Sequence, residues 1–162
     1  MTLYLLRHGD AIEIGYDDAE RPLSQVGEQQ ASVVGKFLRA SRISLDRIIS
    51  SPLVRAKQTA DLIHDELGTK VCSTSEYLVP GADQRQLIAH IHQLSEASVL
   101  LVGHEPQLRT FLSTLVTGTP HAEFALRKGT LASVDIGSPI VPGTGTLRWL
   151  LTNDQMRASL RR

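Results

Sequence analysis

The feature that most limits how this chain can fold is its alternation of short β-prone apolar runs with longer helical patterns. Thr2–Leu6, Asp46–Ile49, Lys70–Thr74 and Ser98–Val102 read as strands. Ser24 caps a helical pattern that runs to about Ala40. Ser51 followed by Pro52 reads as a hydroxyl cap with proline at the first helical position. Leu53, Ala56, Ala60, Ile63 and Leu67 then recur at helical spacing, and Gly68 stops the pattern. Asp83 with Gln86 reads as a capping box opening a helix through Leu94. Pro106 begins a helix carrying Leu108, Phe111, Leu112 and Leu115. Such alternation predicts an α/β three-layer sandwich, with a mostly parallel central sheet and helices on both faces. Leu131–Ile136 and Thr146–Leu151, joined by a Gly/Pro-rich loop, read as a late hairpin at the sheet edge. The 162 residues fit one domain over 1–162 with no separating linker. The last ~10 residues are polar and read as a loose tail or a short helix.

Three of the predicted strands end in residues that carry chemistry. Arg7-His8-Gly9 follows the first, and Ser50-Ser51-Pro52 follows the second, with Arg55 one turn further on. Gly103-His104-Glu105-Pro106 follows the strand at Ser98–Val102. Helical crossovers imply parallel strands, and open α/β sheets bind ligands beyond the carboxyl ends of such strands. Two histidines and two arginines are therefore expected on one rim. Guanidinium forks match phosphate oxygens, and a helix N-terminus adds backbone donors. This is a site for a doubly charged anion. A neutral imidazole can attack phosphorus and form a covalent intermediate, while a second histidine donates to the phosphoryl oxygens. The arginines are expected to lower the pKa of the nucleophile. Gly9 is expected to let the backbone approach the imidazole and fix its tautomer.

The composition narrows the alternatives. Lys plus Arg and Asp plus Glu number 17 each, so there is no basic excess for nucleic acid to read. No apolar run approaches a membrane span, and no secretory leader precedes the first strand, so a cytoplasmic protein is expected. The single cysteine, Cys72, reads as a buried strand residue. His64, His90, His92 and His121 read as ordinary helix or loop residues. His90 and His92 are two apart and do not share a helix face, so no metal and no cofactor are expected.

Four segments in one register then resemble the histidine phosphatase superfamily, which includes the cofactor-dependent phosphoglycerate mutases. They are Leu6-Arg7-His8-Gly9, Arg21-Pro22-Leu23-Ser24 with Gly27, Ser50-Ser51-Pro52 with Arg55-Ala56 and Gln58-Thr59-Ala60, and Val102-Gly103-His104-Glu105-Pro106. The short chain, the opening Arg7–Ala11 and the segment Leu78–Asp83 resemble the compact SixA-type phosphohistidine phosphatases. The resemblance implies that His8 is the phosphorylated nucleophile and that Arg7, Arg55 and His104 form the phosphate pocket. It adds Arg21 as a further phosphate or substrate contact. Only Glu76–Asp83 separates a strand from a helix where larger sugar-phosphate enzymes insert a lid.

No carboxylate stands out as the general acid. Asp18, Glu105 and Glu76 are the candidates, and Glu105, just before Pro106, also suits a helix dipole. A phosphohistidine substrate needs little acid help, because its P–N bond is labile. The reading preferred from sequence is a phosphatase acting on a phosphorylated protein that carries phosphohistidine. The alternatives are a phosphomonoesterase for a small phosphorylated metabolite and a non-catalytic phosphate-binding protein.

Overall fold

Among the described residues six strands and five α-helices follow one another, the strands and the first four helices in the order the sequence predicts. The computed structural model describes residues 1–161. The elements are β1 (Thr2–Arg7), α1 (Gln25–Ala40), β2 (Arg47–Ser50), α2 (Val54–Leu67), β3 (Val71–Thr74), α3 (Gln84–His92), β4 (Ser98–Gly103), α4 (Gln107–Thr117), β5 (Leu131–Asp135), β6 (Thr146–Leu151) and α5 (Asn153–Ser159). They build a single α/β domain. The sheet order is β3-β2-β4-β1-β5-β6. β3, β2, β4 and β1 pair in parallel, and the late hairpin β5–β6 closes one edge antiparallel. No helix of the described residues is long and apolar enough to cross a membrane.

Both faces of the sheet are buried, which explains why the central strands read as unbroken apolar runs. Successive strand residues point to opposite faces. Leu3 and Leu5 of β1 and Val99 and Leu101 of β4 join α3 and α4 in one core, around Leu87, Ile91, Phe111 and Leu112. Tyr4, Leu6, Leu100 and Val102 join α1, α2 and α5 in the other, around Val34, Leu38, Ala60, Ile63 and Met156. Each fully buried side chain of this size contributes roughly 1.5–3 kcal/mol. The two cores fix the sheet from both sides, so the carboxyl ends of its parallel strands form a rigid rim.

Several helix starts differ from the sequence reading. Ser24 does cap α1, accepting from the Gly27 amide. Ser51 does not cap α2, which begins at Val54 after an uncapped Leu53. The chain bends through Pro52 and Leu53 first, and the fully buried Ser51 hydroxyl is used elsewhere. Asp83 caps α3 by accepting from the Arg85 amide at 2.9 Å, so the reciprocal box with Gln86 is not made, and the helix ends at His92. The C-terminal segment is a short helix, held by a Thr152–Gln155 capping box and by the fully buried Met156, not a loose tail. Cys72 lies on the edge strand β3 and is only half-buried.

Candidate active site

The parallel strands deliver three groups to one rim. The ladder runs on past the strand ends: the His8 amide donates to Gly103 O at 3.1 Å and the Ser51 amide to Val102 O at 2.9 Å. Arg7, His8, Ser51 and His104 are thus set by backbone pairing of adjacent strands. α2 completes the rim with one helical face. Arg55 Nε lies 3.3 Å from His8 Nε2, Thr59 Oγ1 accepts from the Gly9 amide at 3.1 Å, and Gln58 Oε1 accepts from the Leu23 amide at 2.8 Å. These three residues lie at i, i+3 and i+4, so one turn of α2 holds both the His8–Gly9 segment and the loop that follows it.

The rings of His8 and His104 stand 4.9 Å apart between centroids. His8 Nδ1 is 2.6 Å from Gly9 O, an acceptor only, so Nδ1 carries the proton and Nε2 keeps its lone pair. Burial lowers the His8 pKa to about 4; the charges of Arg55, Arg7 and Lys128 add to the effect and the Gly9 bond opposes it. The arginines therefore contribute as expected, but desolvation is the larger cause. His104 is lowered to about 3, by burial first and then by His8 and Arg55. Its Nε2 is 2.8 Å from Ser51 Oγ, whereas its Nδ1 is buried without a partner. Arg7 donates Nη1 to Leu126 O at 3.1 Å, and its Nε is likewise buried without an acceptor.

Besides the bond of its carbonyl to the imidazole, Gly9 serves a second contact. A Cβ built there would meet Gly27 O at 2.6 Å, and one built on Gly27 would meet Asp10 O at 1.9 Å. The His8–Asp10 segment thus lies directly on the first turn of α1, and the tautomer of His8 is set by the Gly9 carbonyl. Asp10 follows, with one carboxylate oxygen on Lys128 Nζ at 2.6 Å and the other accepting from Ser24 Oγ at 2.6 Å.

Arg21 faces the loop, not the rim of imidazoles. Its Nε donates to Ile12 O at 2.9 Å and its Nη1 to Asp18 Oδ1 at 3.2 Å. Asp18 reaches inward to Arg55, so of the three acid candidates it alone pairs with a residue of the His8 cluster. Burial raises its carboxyl, but the Arg21 bond and the Arg55 charge outweigh this and hold it below the usual value. Burial raises the Glu105 carboxyl; its oxygens accept from the Arg109 amide at 3.1 Å and face Arg109 Nε at 3.4 Å, which makes it a brace for the start of α4. Glu76 is exposed, at the start of a 3-10 turn. A cavity of about 930 Å³ lies at the opposite, amino ends of β2, β3 and β4, bordered by Arg42, Asp46, Thr69 and Lys70, and shares no residue with this cluster.

Sequence reasoning missed Ser51 as a partner of His104, Thr59 and Gln58 as anchors, and Lys128. Ser51, Gln58 and Thr59 stand inside a segment already singled out; for Gln58 and Thr59 the helical spacing from Arg55 is the available signal, and for Ser51, outside the helix, there is none. Lys128, in the turn before β5, carried none.

A neutral imidazole whose Nε2 faces a buried guanidinium, at the carboxyl end of a parallel sheet, is an arrangement suited to an anion with several oxygens. Residues 3–77, which include His8, Arg21 and Arg55, match the Histidine phosphatase superfamily (branch 1). That match covers β1 to β3, a little under half of the chain, and makes the chain similar to that superfamily there. The chain is similar to phosphohistidine phosphatase SixA of Escherichia coli (strain K12), 28% identical over 158 residues and 94% of each chain. A solved structure of the protein histidine phosphatase SixA complexed with tungstate aligns with a TM-score of 0.85 and 27% identity, over 95% of this chain and 98% of that one. A putative alpha-ribazole-5'-P phosphatase from Escherichia coli shares the fold, with a TM-score of 0.74 and 21% identity over 94% of this chain and 98% of that one.

Proposed function

We propose that this chain is a cytoplasmic, metal-independent phosphatase that removes phosphoryl groups from phosphohistidine on a signalling or phosphotransfer protein. The observation that carries the reading is the His8 tautomer: Nδ1 is spent on Gly9 O, and the Nε2 lone pair faces Arg55. In the first step Nε2 forms a bond to phosphorus. The P–N bond to the substrate imidazole breaks, its electron pair leaves with that ring, and solvent supplies the proton. In the second step water attacks phosphorus, the P–Nε2 bond breaks, and its electron pair returns to His8. The water's proton ends on phosphate or solvent. Arg55 and Arg7 stabilise the charge on the phosphoryl oxygens. Ser51 donating to His104 Nε2 leaves the proton on the unpartnered Nδ1, free to donate to the same oxygens.

Two observations favour a protein substrate. None of the three carboxyl candidates is poised as an acid at His8, since Arg21 and Arg55 hold Asp18 low, Glu105 is bonded to Arg109 and Glu76 is exposed at the start of a 3-10 turn, which suits a leaving group that needs little proton transfer. The loop after the nucleophile also bares Ile12, Ile14 and Tyr16, and the same loop carries Asp18 onto Arg55. A macromolecular substrate covers such side chains; a small metabolite does not.

The test compares kcat/KM on a phosphohistidine protein with a panel of phosphate monoesters, and follows phosphoenzyme by rapid quench. A strong preference for the protein is expected, with an acid-labile phosphoenzyme that His8→Ala abolishes. Equal or better turnover of a monoester would replace the substrate assignment with a metabolite phosphatase. Phosphoenzyme surviving in His8→Ala would replace the nucleophile.

A further inference from the structure

Every polar nitrogen of Arg55 is engaged in the free protein. Nε faces His8 Nε2 at 3.3 Å, Nη1 donates to Asp18 O at 2.6 Å, and Nη2 donates to Asp18 Oδ2 at 3.3 Å. Phosphorus bonded to His8 Nε2 brings its oxygens within reach of this guanidinium, so a phosphoryl group and Asp18 want the same donors. The two partners differ in freedom. The Arg55 side chain is 6% exposed and fixed on α2, whereas that of Asp18 is 67% exposed. The acid therefore reaches a buried cation from the solvent side and can swing away without unpacking a core. Arg21 steadies it there, through Asp18 Oδ1 and the Ile12 carbonyl. With Asp18 in place, His8 is 6% exposed.

We infer that Asp18 is a resident competitor for the phosphate-binding fork of Arg55, and that it displaces inorganic phosphate after hydrolysis. The inference rests on the proposed phosphoryl site at His8 and Arg55. A tethered carboxylate acts at a high effective concentration. It lowers the apparent affinity of any anion by the fraction of molecules in which the fork is free. Substrate, held also by the rest of its carrier, overcomes this competition; free phosphate has only its own charge. The carboxylate then returns to Arg55 and empties the site for the next turnover.

Competitive inhibition by inorganic phosphate tests this at fixed ionic strength, with direct phosphate binding by calorimetry as a check that needs no turnover. Asp18→Asn and Asp18→Ala should bind phosphate roughly tenfold tighter, the size of one charge-assisted contact removed from the competition. Asp18→Glu should stay near the parent. The gain should vanish in an Arg55→Ala background, where there is no fork to contest. A residue that merely ordered the loop would give the opposite sign, with weaker phosphate binding on substitution. Unchanged or weaker binding in Asp18→Asn, with Arg55→Ala still abolishing binding, overturns the inference and leaves the phosphoryl site standing. Unchanged binding in Arg55→Ala overturns the site itself.

Discussion

Nδ1 of His8 stands 2.6 Å from the carbonyl oxygen of Gly9, the residue next to it in the chain, so the ring's orientation and tautomer are fixed before any substrate arrives, while burial keeps it neutral. That neutrality affects stability as well as chemistry. The folded pKa is lowered to about 4, below the ~6.5 of a free imidazole. Below about pH 6.5 the unfolded chain binds more protons than the folded one. The stabilisation is thus full above that pH and is lost as the pH falls through about 4. It is on the order of 3 kcal/mol for His8. Thermal melts from pH 7 to pH 4 should show a steep loss in the parent and a shallower one in His8→Asn. Parallel curves would mean that His8 is not held neutral.

Ser51 positions His104 through a buried 2.8 Å contact. Ser51→Ala should lower kcat about tenfold, the equivalent of one hydrogen bond, with little change in KM. The ring nitrogens of His104 should then show mixed tautomers by nitrogen NMR. A normal kcat with an unchanged His104 spectrum would remove Ser51 from the mechanism.

The exposed loop side chains separate protein from small substrates. Ile14 is 88% exposed and Tyr16 is 51% exposed. Ile14→Ser with Tyr16→Ser should raise KM for a phosphohistidine protein about tenfold, as expected when apolar contact area is lost at an interface. KM for a small phosphoramidate should not move. Equal changes on both would show that the loop shapes the phosphate site and not a docking surface.

The sequence exposed much of this site because two periodicities do. Alternating strands and helices dictate a parallel sheet, and a parallel sheet gathers Arg7, Ser50 and Gly103 at one end. His8 and His104 then have to meet. The sequence could not say where a hydroxyl points. Ser51 looks like a helix cap in one dimension, because capping serines also precede apolar helical runs. Only the bend through Pro52 and Leu53 turns it toward His104. Arg21 shows the same limit: a loop guanidinium takes whatever acid the loop supplies, and here that is Asp18.

Gly27 should tolerate no side chain. A methyl there would lie 1.9 Å from Asp10 O, with Asp10 N and C each at 2.9 Å. Gly27→Ala should therefore lower the melting temperature sharply and lower kcat with it, since the displaced backbone carries Gly9 and the imidazole contact. Full activity in a Gly27→Ala variant of normal stability would show that α1 can slide away from the nucleophile segment.

That crossing of two backbones also has a genetic meaning. When a side chain crowds another side chain, a shrinking substitution nearby can relieve it. At positions 9 and 27 the obstructing atoms all belong to the backbone, which no codon change removes. A search for second-site suppressors of Gly27→Ala should consequently return true revertants, and no compensating allele at residue 9 or 10. The two glycines are inherited as a unit, although seventeen residues lie between them.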